Sequence, residues 1–156
     1  MGNLKASVSM ITFNHEKFIA QAIESIMSQQ TSFEFELVIG DDGSTDNTRV
    51  ICEQYQKQFG NKIRLIFNDK NIGSVNNFLQ NIYSCDGDFI AICDGDDFWT
   101  DNSKLQKQVS FLDSHSDFSF CFTNVRSVDS NGKQIKPFTQ IYYNDTFTHE
   151  SYVAKI

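Results

Sequence analysis

Proline, positive charge and paired cysteines are what this chain has least of. One proline in 156 residues with 40% hydrophobic content excludes a proline-rich low-complexity stretch and suits one α/β domain, because that length buries one respectable core but not two. Cys52, Cys85, Cys93 and Cys121 show no C-x-x-C spacing and three of them fall in or beside expected core elements, which argues against zinc and against a disulfide framework. Thirteen Lys and Arg against twenty Asp and Glu leave a net charge of −7 and a pI near 4.8. No basic stripe is then available to displace counterions, so nucleic acid is excluded as a partner. No stretch approaches the roughly 18 apolar residues of a membrane span, and the opening Met1-Gly2-Asn3-Leu4-Lys5 lacks a signal-peptide core. Reduced thiols and a cytoplasmic location are the expectation, and Asn144-Asp145-Thr146 reads as a chance match to the glycosylation sequon.

What is present alternates. Ala6 to Thr12 has the composition of a strand, and Phe18, Ile19, Ala22, Ile23, Ile26 and Met27 then recur at helical spacing. A second strand is expected over residues 33–40, with helix-start chemistry at Asp46-Asn47-Thr48 before Val50, Ile51, Tyr55 and Phe59. Residues 62–67 read as a third strand and Val75, Phe78, Leu79, Ile82 and Tyr83 as a third helix. A fourth strand over 88–93 leads to a helix carrying Leu105, Val109 and Leu112, then a fifth strand over 118–125 and a hairpin turn at 129–133. Residues 139–156 suit an appended strand or a frayed end. Strands alternating with helices of about a dozen residues imply right-handed crossovers and a mostly parallel sheet covered on both faces. Fifteen phenylalanines point to a well-filled core.

Two acidic loops carry the chemistry. Asp41-Asp42 follows Leu37-Val38-Ile39-Gly40, and Asp94-Gly95-Asp96-Asp97 follows Phe89-Ile90-Ala91-Ile92-Cys93. Loops beyond the carboxyl ends of parallel strands are where open α/β sheets hold ligands. If the ligand is a phosphate ester, an acidic site must neutralise it with a divalent cation shared between carboxylates and phosphate. An EF-hand is a poor alternative, because the twelfth position from Asp94 is Leu105 where a bidentate Glu is required.

These motifs resemble the inverting nucleotide-sugar glycosyltransferases of family 2, which have the three-layer, Rossmann-like GT-A fold. The resemblance runs from about Ser7 to Lys133. It rests on Ser9-Met10-Ile11-Thr12-Phe13-Asn14, on Val38 to Thr48 with its Asp41-Asp42-Gly43-Ser44, on Asn71-Ile72-Gly73 through Asn77-Phe78, on Gly87 to Asp97, and on Trp99 followed by Lys104-Leu105. Five landmarks in family order and spacing make a specific signal.

The resemblance implies roles. Asp96, the last residue of the D-x-D element, is expected to ligate Mn²⁺ or Mg²⁺, and Asp94 to lie near the ribose or the metal. Asp42 matches the position whose carboxylate accepts the uracil ring N–H, which suits a group that accepts only. Thr12 and Asn14 are expected along the edge that takes the base, although Ile11 and Phe13 stand where the family commonly has proline and tyrosine. Asn71 and Gly73 belong to the nucleotide-side loop, Asn77 helps to hold it, and Trp99 reads as a packing anchor. Ser44, Asp46 and Thr48 read as turn and capping residues, and His15 as a surface loop residue.

The implied reaction transfers a sugar from a nucleoside-diphospho-sugar, a UDP-sugar by expectation, to a hydroxyl of a glycan or lipid-linked acceptor with inversion. Asp145 and Glu150 do not stand in a recognisable general-base motif. The expectation is a single GT-A-like domain over 1–156 that forms the donor-binding half, without the acceptor-side segment. A catalytically incomplete nucleotide-sugar binding module has the same features. A Mg²⁺-binding receiver domain would need an acidic pair after the first strand, where this chain has Phe13-Asn14-His15. No transmembrane segment is expected, and association with the inner face of the membrane stays open.

Overall fold

Runs of aliphatic residues too short for helices become strands, and the segments between them, with apolar residues three and four apart, become the helices that cover them. The computed structural model describes residues 4–129, 133–136 and 154–155. Their order is β1 (Ala6–Thr12), α1 (Ile19–Met27), β2 (Phe35–Asp41), α2 (Thr48–Phe59), β3 (Ile63–Phe67), α3 (Ser74–Tyr83), β4 (Phe89–Ile92), α4 (Lys104–Ser114), β5 (Cys121–Phe122), β6 (Ser127–Val128), β7 (Gln134–Lys136) and β8 (Ala154–Lys155), with a 3-10 turn at Gly60–Lys62. The chain divides into two compact units, one ending at residue 106 and one beginning at 107.

The first unit holds a four-stranded sheet in the order β3-β2-β1-β4, parallel at every pairing. Every residue of β2 is buried, as is every residue of β1 except Ile11. Burial on both faces suits the run Leu37-Val38-Ile39 of β2, whereas β1 alternates Ser7 and Ser9 with Ala6, Val8 and Met10 and buries its serines as well. The order has a functional consequence. The chain steps outward from β1 to β2 to β3, then returns to the other side of β1 with β4, so the strand order reverses between β1 and β4, the point at which such sheets open a ligand crevice.

Several polar residues inside this core form hydrogen bonds across it. Asn81, fully buried on α3, donates to Ser9 Oγ at 2.8 Å, Val38 O at 3.0 Å and Met10 O at 3.2 Å, and Asn77 donates to Gly40 O at 2.8 Å. α3 is thereby fastened to the middle of β1 and β2. At the amino-terminal end of the sheet, Glu36 Oε1 accepts from Ser7 Oγ at 2.6 Å and from Arg64 Nη2 at 3.2 Å, while Arg64 Nη1 pairs with Asp86 at 2.8 Å. This network ties β1, β2, β3 and the α3–β4 connection together.

Two expectations are corrected. Residues 118–125 do not form a strand of the central sheet: within that stretch only Cys121–Phe122 is strand, paired in parallel with Ala154–Lys155. Aromatic alternation gave the segment β propensity, but propensity does not supply a neighbour. The phenylalanines do not fill the core either. Phe35 is the one buried phenylalanine among the described residues, whereas Phe13, Phe18, Phe98 and Phe120 are exposed, and the core is Ile, Val, Leu, Met and Ala. Strands covered on both faces take β-branched and aliphatic side chains, which leaves aromatics to the rim. The expected hairpin is present, with β6 and β7 antiparallel and Asp129 N donating to Lys133 O at 2.8 Å. Its tip, 130–132, lies outside the described residues, as do Asp145, Glu150 and the sequon at 144–146.

A Cβ added at Gly40 would stand 2.9 Å from Asn77 Oδ1 and 3.0 Å from Asn81 Oδ1. Gly40→Ala is therefore expected to cost about 1–3 kcal/mol, the range for overpacking a filled core. Urea denaturation measures this, and an unchanged midpoint would show that α3 can move off the sheet at no cost.

Candidate functional site

β1 lies between β2 and β4, so the segment that leaves it touches both acidic loops. Asp42 N donates to Thr12 O at 2.9 Å on one side, and Gly95 N donates to Ile11 O at 2.9 Å on the other. The β1 exit is itself tightly tied. Asn14 takes a left-handed φ of 55°, its N donates to Ser44 Oγ at 2.9 Å, and its Oδ1 accepts from Thr45 N at 2.8 Å. Asn tolerates this backbone better than most side chains. His15 N donates to Thr48 Oγ1 at 2.9 Å, and Glu16 N to Asp46 Oδ2 at 3.1 Å. Asp46 also accepts from Thr48 N at 2.9 Å, so it starts α2 as expected. Its burial raises its pKa, but the hydrogen bonds from Thr48 and Glu16 prevail and hold it below the ordinary value.

The two aspartates after β2 have different surroundings. Asp41 is fully buried, and its Oδ1 accepts from Arg49 Nε at 2.5 Å and from Ser44 N at 3.0 Å, while its Oδ2 is buried without a partner among the described residues. Arg49 also reaches Asn68 O and lies 4.9 Å over the Phe67 ring. Asp42 spans to the loop after β3: Oδ1 accepts from Ile72 N at 2.8 Å and Oδ2 from Gly73 N at 3.0 Å. Gly73 has a φ of 90°, and its N also bonds Asn71 Oδ1 at 3.0 Å. Asp42 therefore holds the loop of Asn71 and Gly73 against the β2 exit. Asn77 joins the same assembly by accepting from Asn68 Nδ2 at 3.2 Å.

The loop after β4 is a concentration of negative charge. Burial first, then the charges of Asp97 and Asp96, push the Asp94 carboxyl above its ordinary pKa of 3.8, and His15 opposes them. Asp97 is raised in the same way by burial and by Asp96. Cys93 beneath them is buried and its thiol is pushed up to about 12 by burial and by Asp97, so it is held as an unreactive thiol. Asp96 is half exposed, with Oδ2 4.0 Å from His15 Nε2. The loop passes close to β1: a Cβ at Gly95 would lie 2.7 Å from Thr12 Oγ1 and 3.0 Å from His15 Nδ1. Glycine is needed there for the approach. Trp99 is buried, as a packing anchor would be, with Lys104 Nζ 4.3 Å over its ring.

The strand order thus brings Thr12 and Asn14 together with Asp42, Asn71 and Gly73 on one side, and Thr12 with Asp94 and Asp96 on the other. Among the described residues no group of three or more His, Cys, Asp or Glu converges closely enough to hold a metal by itself. The donors still fit one. Mutually repelling carboxylates are relieved by a cation, and ions such as Mg²⁺ are commonly held by one or two carboxylates with substrate phosphates supplying further oxygens.

Comparison with known proteins agrees with this arrangement. The model for glycosyl transferase family 2 matches residues 7–153. The chain belongs to that family. It is 38% identical over 131 residues to the putative glycosyltransferase EpsE of Bacillus subtilis, covering 82% of this chain and 45% of EpsE. It is 31% identical over 147 residues to the UDP-Glc:alpha-D-GlcNAc-diphosphoundecaprenol beta-1,3-glucosyltransferase WfgD of Escherichia coli, covering 92% of this chain and 55% of WfgD. The chain spans about half the length of the curated relatives it matches. Among solved structures, S. aureus TarS 1–349 in complex with UDP superposes with a TM-score of 0.70 at 28% identity, over 86% of this chain and 38% of that one. The parallel sheet of the first unit is that of the GT-A fold.

Two residues beside these loops were not expected there. His15, expected on the surface, is three-quarters buried beside Asp96 because β1 and β4 are neighbours. Arg49, which fixes Asp41, was signalled only by a basic residue in the first turn of a helix that follows an acidic pair.

The raised carboxyls have a consequence for stability. In the folded chain Asp94 and Asp97 hold their protons more tightly than in the unfolded chain, so stability falls as pH rises from the unfolded value near 3.8 through the raised folded values. Asp97→Asn removes one of the repelling charges. Without divalent ions it is expected to make the decline in denaturation midpoint as pH rises above the ordinary carboxyl value of 3.8 shallower than in the unmodified chain. An equally steep decline would show that the loop is not under charge repulsion.

Proposed function

We propose that this chain is the donor-binding part, over residues 1–156, of a glycosyltransferase that uses a UDP-sugar and a divalent cation, Mn²⁺ or Mg²⁺. The observation that carries the reading is the convergence of the β1 exit, the Asp42-clamped loop and the D-x-D loop at the point where strand order reverses. The UDP in TarS, at 28% identity over 86% of this chain, supports the nucleotide. The lipid-linked acceptor in the name of WfgD supports an acceptor of that class, a glycan or lipid-linked sugar. No helix among the described residues is long and apolar enough to cross a membrane.

In this reading the base lies along Thr12, Phe13 and Asn14, with Phe13 41% exposed at the β1 exit as an apolar surface for it. Asp42 is the acceptor for the uracil N–H. A carboxylate oxygen has two lone pairs, and each oxygen of Asp42 has one bonded by the loop amides, so capacity remains. Asn71 and Gly73 border the nucleotide, Asp94 lies toward the ribose, and Asp96 holds the cation. The cation, when bound, neutralises the charge that develops on the diphosphate leaving group. The chain's own contribution is orientation: loops fixed by Asp41, Asp42 and Asn14 present the donor with its anomeric carbon open to attack from the face opposite the diphosphate, which gives inversion.

Calorimetric titration with UDP should show binding that depends on Mn²⁺, and Asp96→Asn should abolish the dependence with little loss of stability, because a half-exposed loop carboxylate contributes little to the core. Metal dependence that survives the substitution would remove Asp96 from the site. UDP should bind the unmodified chain more tightly than ADP, and Asp42→Ala should cost about 1–3 kcal/mol of UDP affinity, the range for a hydrogen bond to a charged group. Equal affinities for UDP and ADP would remove Asp42 from base recognition.

A further inference from the structure

His15 stands where the β1 and β4 exits meet, and its position is set by its backbone. Its N donates to Thr48 Oγ1, and its carbonyl accepts from Phe18 N and Ile19 N, both at 2.9 Å, at the entry to α1. The left-handed Asn14 precedes it. The imidazole is pressed against the D-x-D loop, because residue 95 is a glycine whose missing Cβ would lie 3.0 Å from Nδ1. Neither Nδ1 nor the neighbouring Thr12 Oγ1 has a partner among the described residues, although both atoms are buried. Burying polar atoms unpaired is costly, so the ring's placement is not explained by what surrounds it on the inner side. Its other nitrogen, Nε2, faces Asp96 Oδ2 at 4.0 Å. That separation is too long for a hydrogen bond, but two ligand bonds of about 2.1 Å each can span it.

We infer that His15 Nε2 and Asp96 together ligate the divalent cation, so that the metal site of this chain is a mixed nitrogen–oxygen site shared between the β1 and β4 exits. The inference rests on the donor-binding reading above. It makes a metal preference part of the fold: imidazole suits transition ions, whereas Mg²⁺ and Ca²⁺ prefer oxygen alone. A ligand carried by the segment that leaves β1 also explains why the metal and the nucleobase edge stay in register, since Thr12 and Asn14 lie on the same short stretch.

Electron spin-echo spectroscopy of Mn²⁺ bound to the full chain with UDP reads the ligand directly. With histidine labelled by ¹⁵N, nitrogen coupling of the labelled type is expected, and it should vanish in His15→Gln. Loss of even an outer partner of a metal ligand costs about 10- to 100-fold in affinity, so His15→Gln should weaken Mn²⁺ binding by about tenfold or more and Mg²⁺ binding by much less. Mn²⁺ bound without histidine coupling in the unmodified chain, or unchanged Mn²⁺ affinity in His15→Gln, overturns the assignment and leaves the donor-binding reading standing. Absence of any Mn²⁺-dependent UDP binding in the unmodified chain overturns both. The spectroscopic result on the unmodified chain does not depend on the variant folding.

Discussion

Parallel pairing of β1 with β2 on one side and β4 on the other is the constraint from which the site follows. Two acidic motifs separated by some fifty residues become neighbours because a single strand lies between them, and its exit segment, Thr12 to His15, hydrogen-bonds or packs against both. Had β4 joined the sheet beyond β3 instead, β3 rather than β1 would lie between Asp42 and Asp96, and the exit segment with Thr12, Asn14 and His15 would stand two strands further from the D-x-D loop, since neighbouring strands lie about 4.8 Å apart. The reversal of strand order is what creates the crevice.

Polar residues in the core stabilise that arrangement by fixing it. Asn77 and Asn81 fasten α3 to carbonyls of β1 and β2, which settles how α3 and the loop preceding it sit on the sheet. Asp41 with Arg49 closes the other side of the same loop through Asn68. Breaking such buried pairs leaves uncompensated polar groups, so the cost of loosening the loop is high. Asp42 then aligns the Ile72 and Gly73 amides. A ligand meets a loop already ordered, which lowers the entropy lost on binding.

The acidic loop after β4 is the opposite case, an arrangement held at some expense. Burial and the neighbouring carboxylates raise the proton affinity of Asp94 and Asp97, and nothing among their described contacts neutralises them beyond the facing imidazole. Functional sites characteristically concentrate such perturbed groups. The acidity of the whole chain is consistent with a ligand whose own negative charge arrives together with a cation.

Much of the first unit was determined by the sequence alone. Apolar runs read as strands at 6–12, 33–40, 62–67 and 88–93, with helical periodicity between them, specify a mostly parallel sheet with helical crossovers, because strands that alternate with helices pair through such crossovers. The motif spacing carried the family and the acidic loops. Tertiary structure decided what local pattern does not encode. Residues 118–125 have strand-like composition yet lack a place in the central sheet, and the phenylalanines that promised a core stand largely at the rim. His15 reads as a surface residue because nothing within a few positions explains it. Its neighbour Asp96 is eighty-one positions away in the chain and 4.0 Å away in space, and strand order, which is a property of the whole sheet, supplies that proximity.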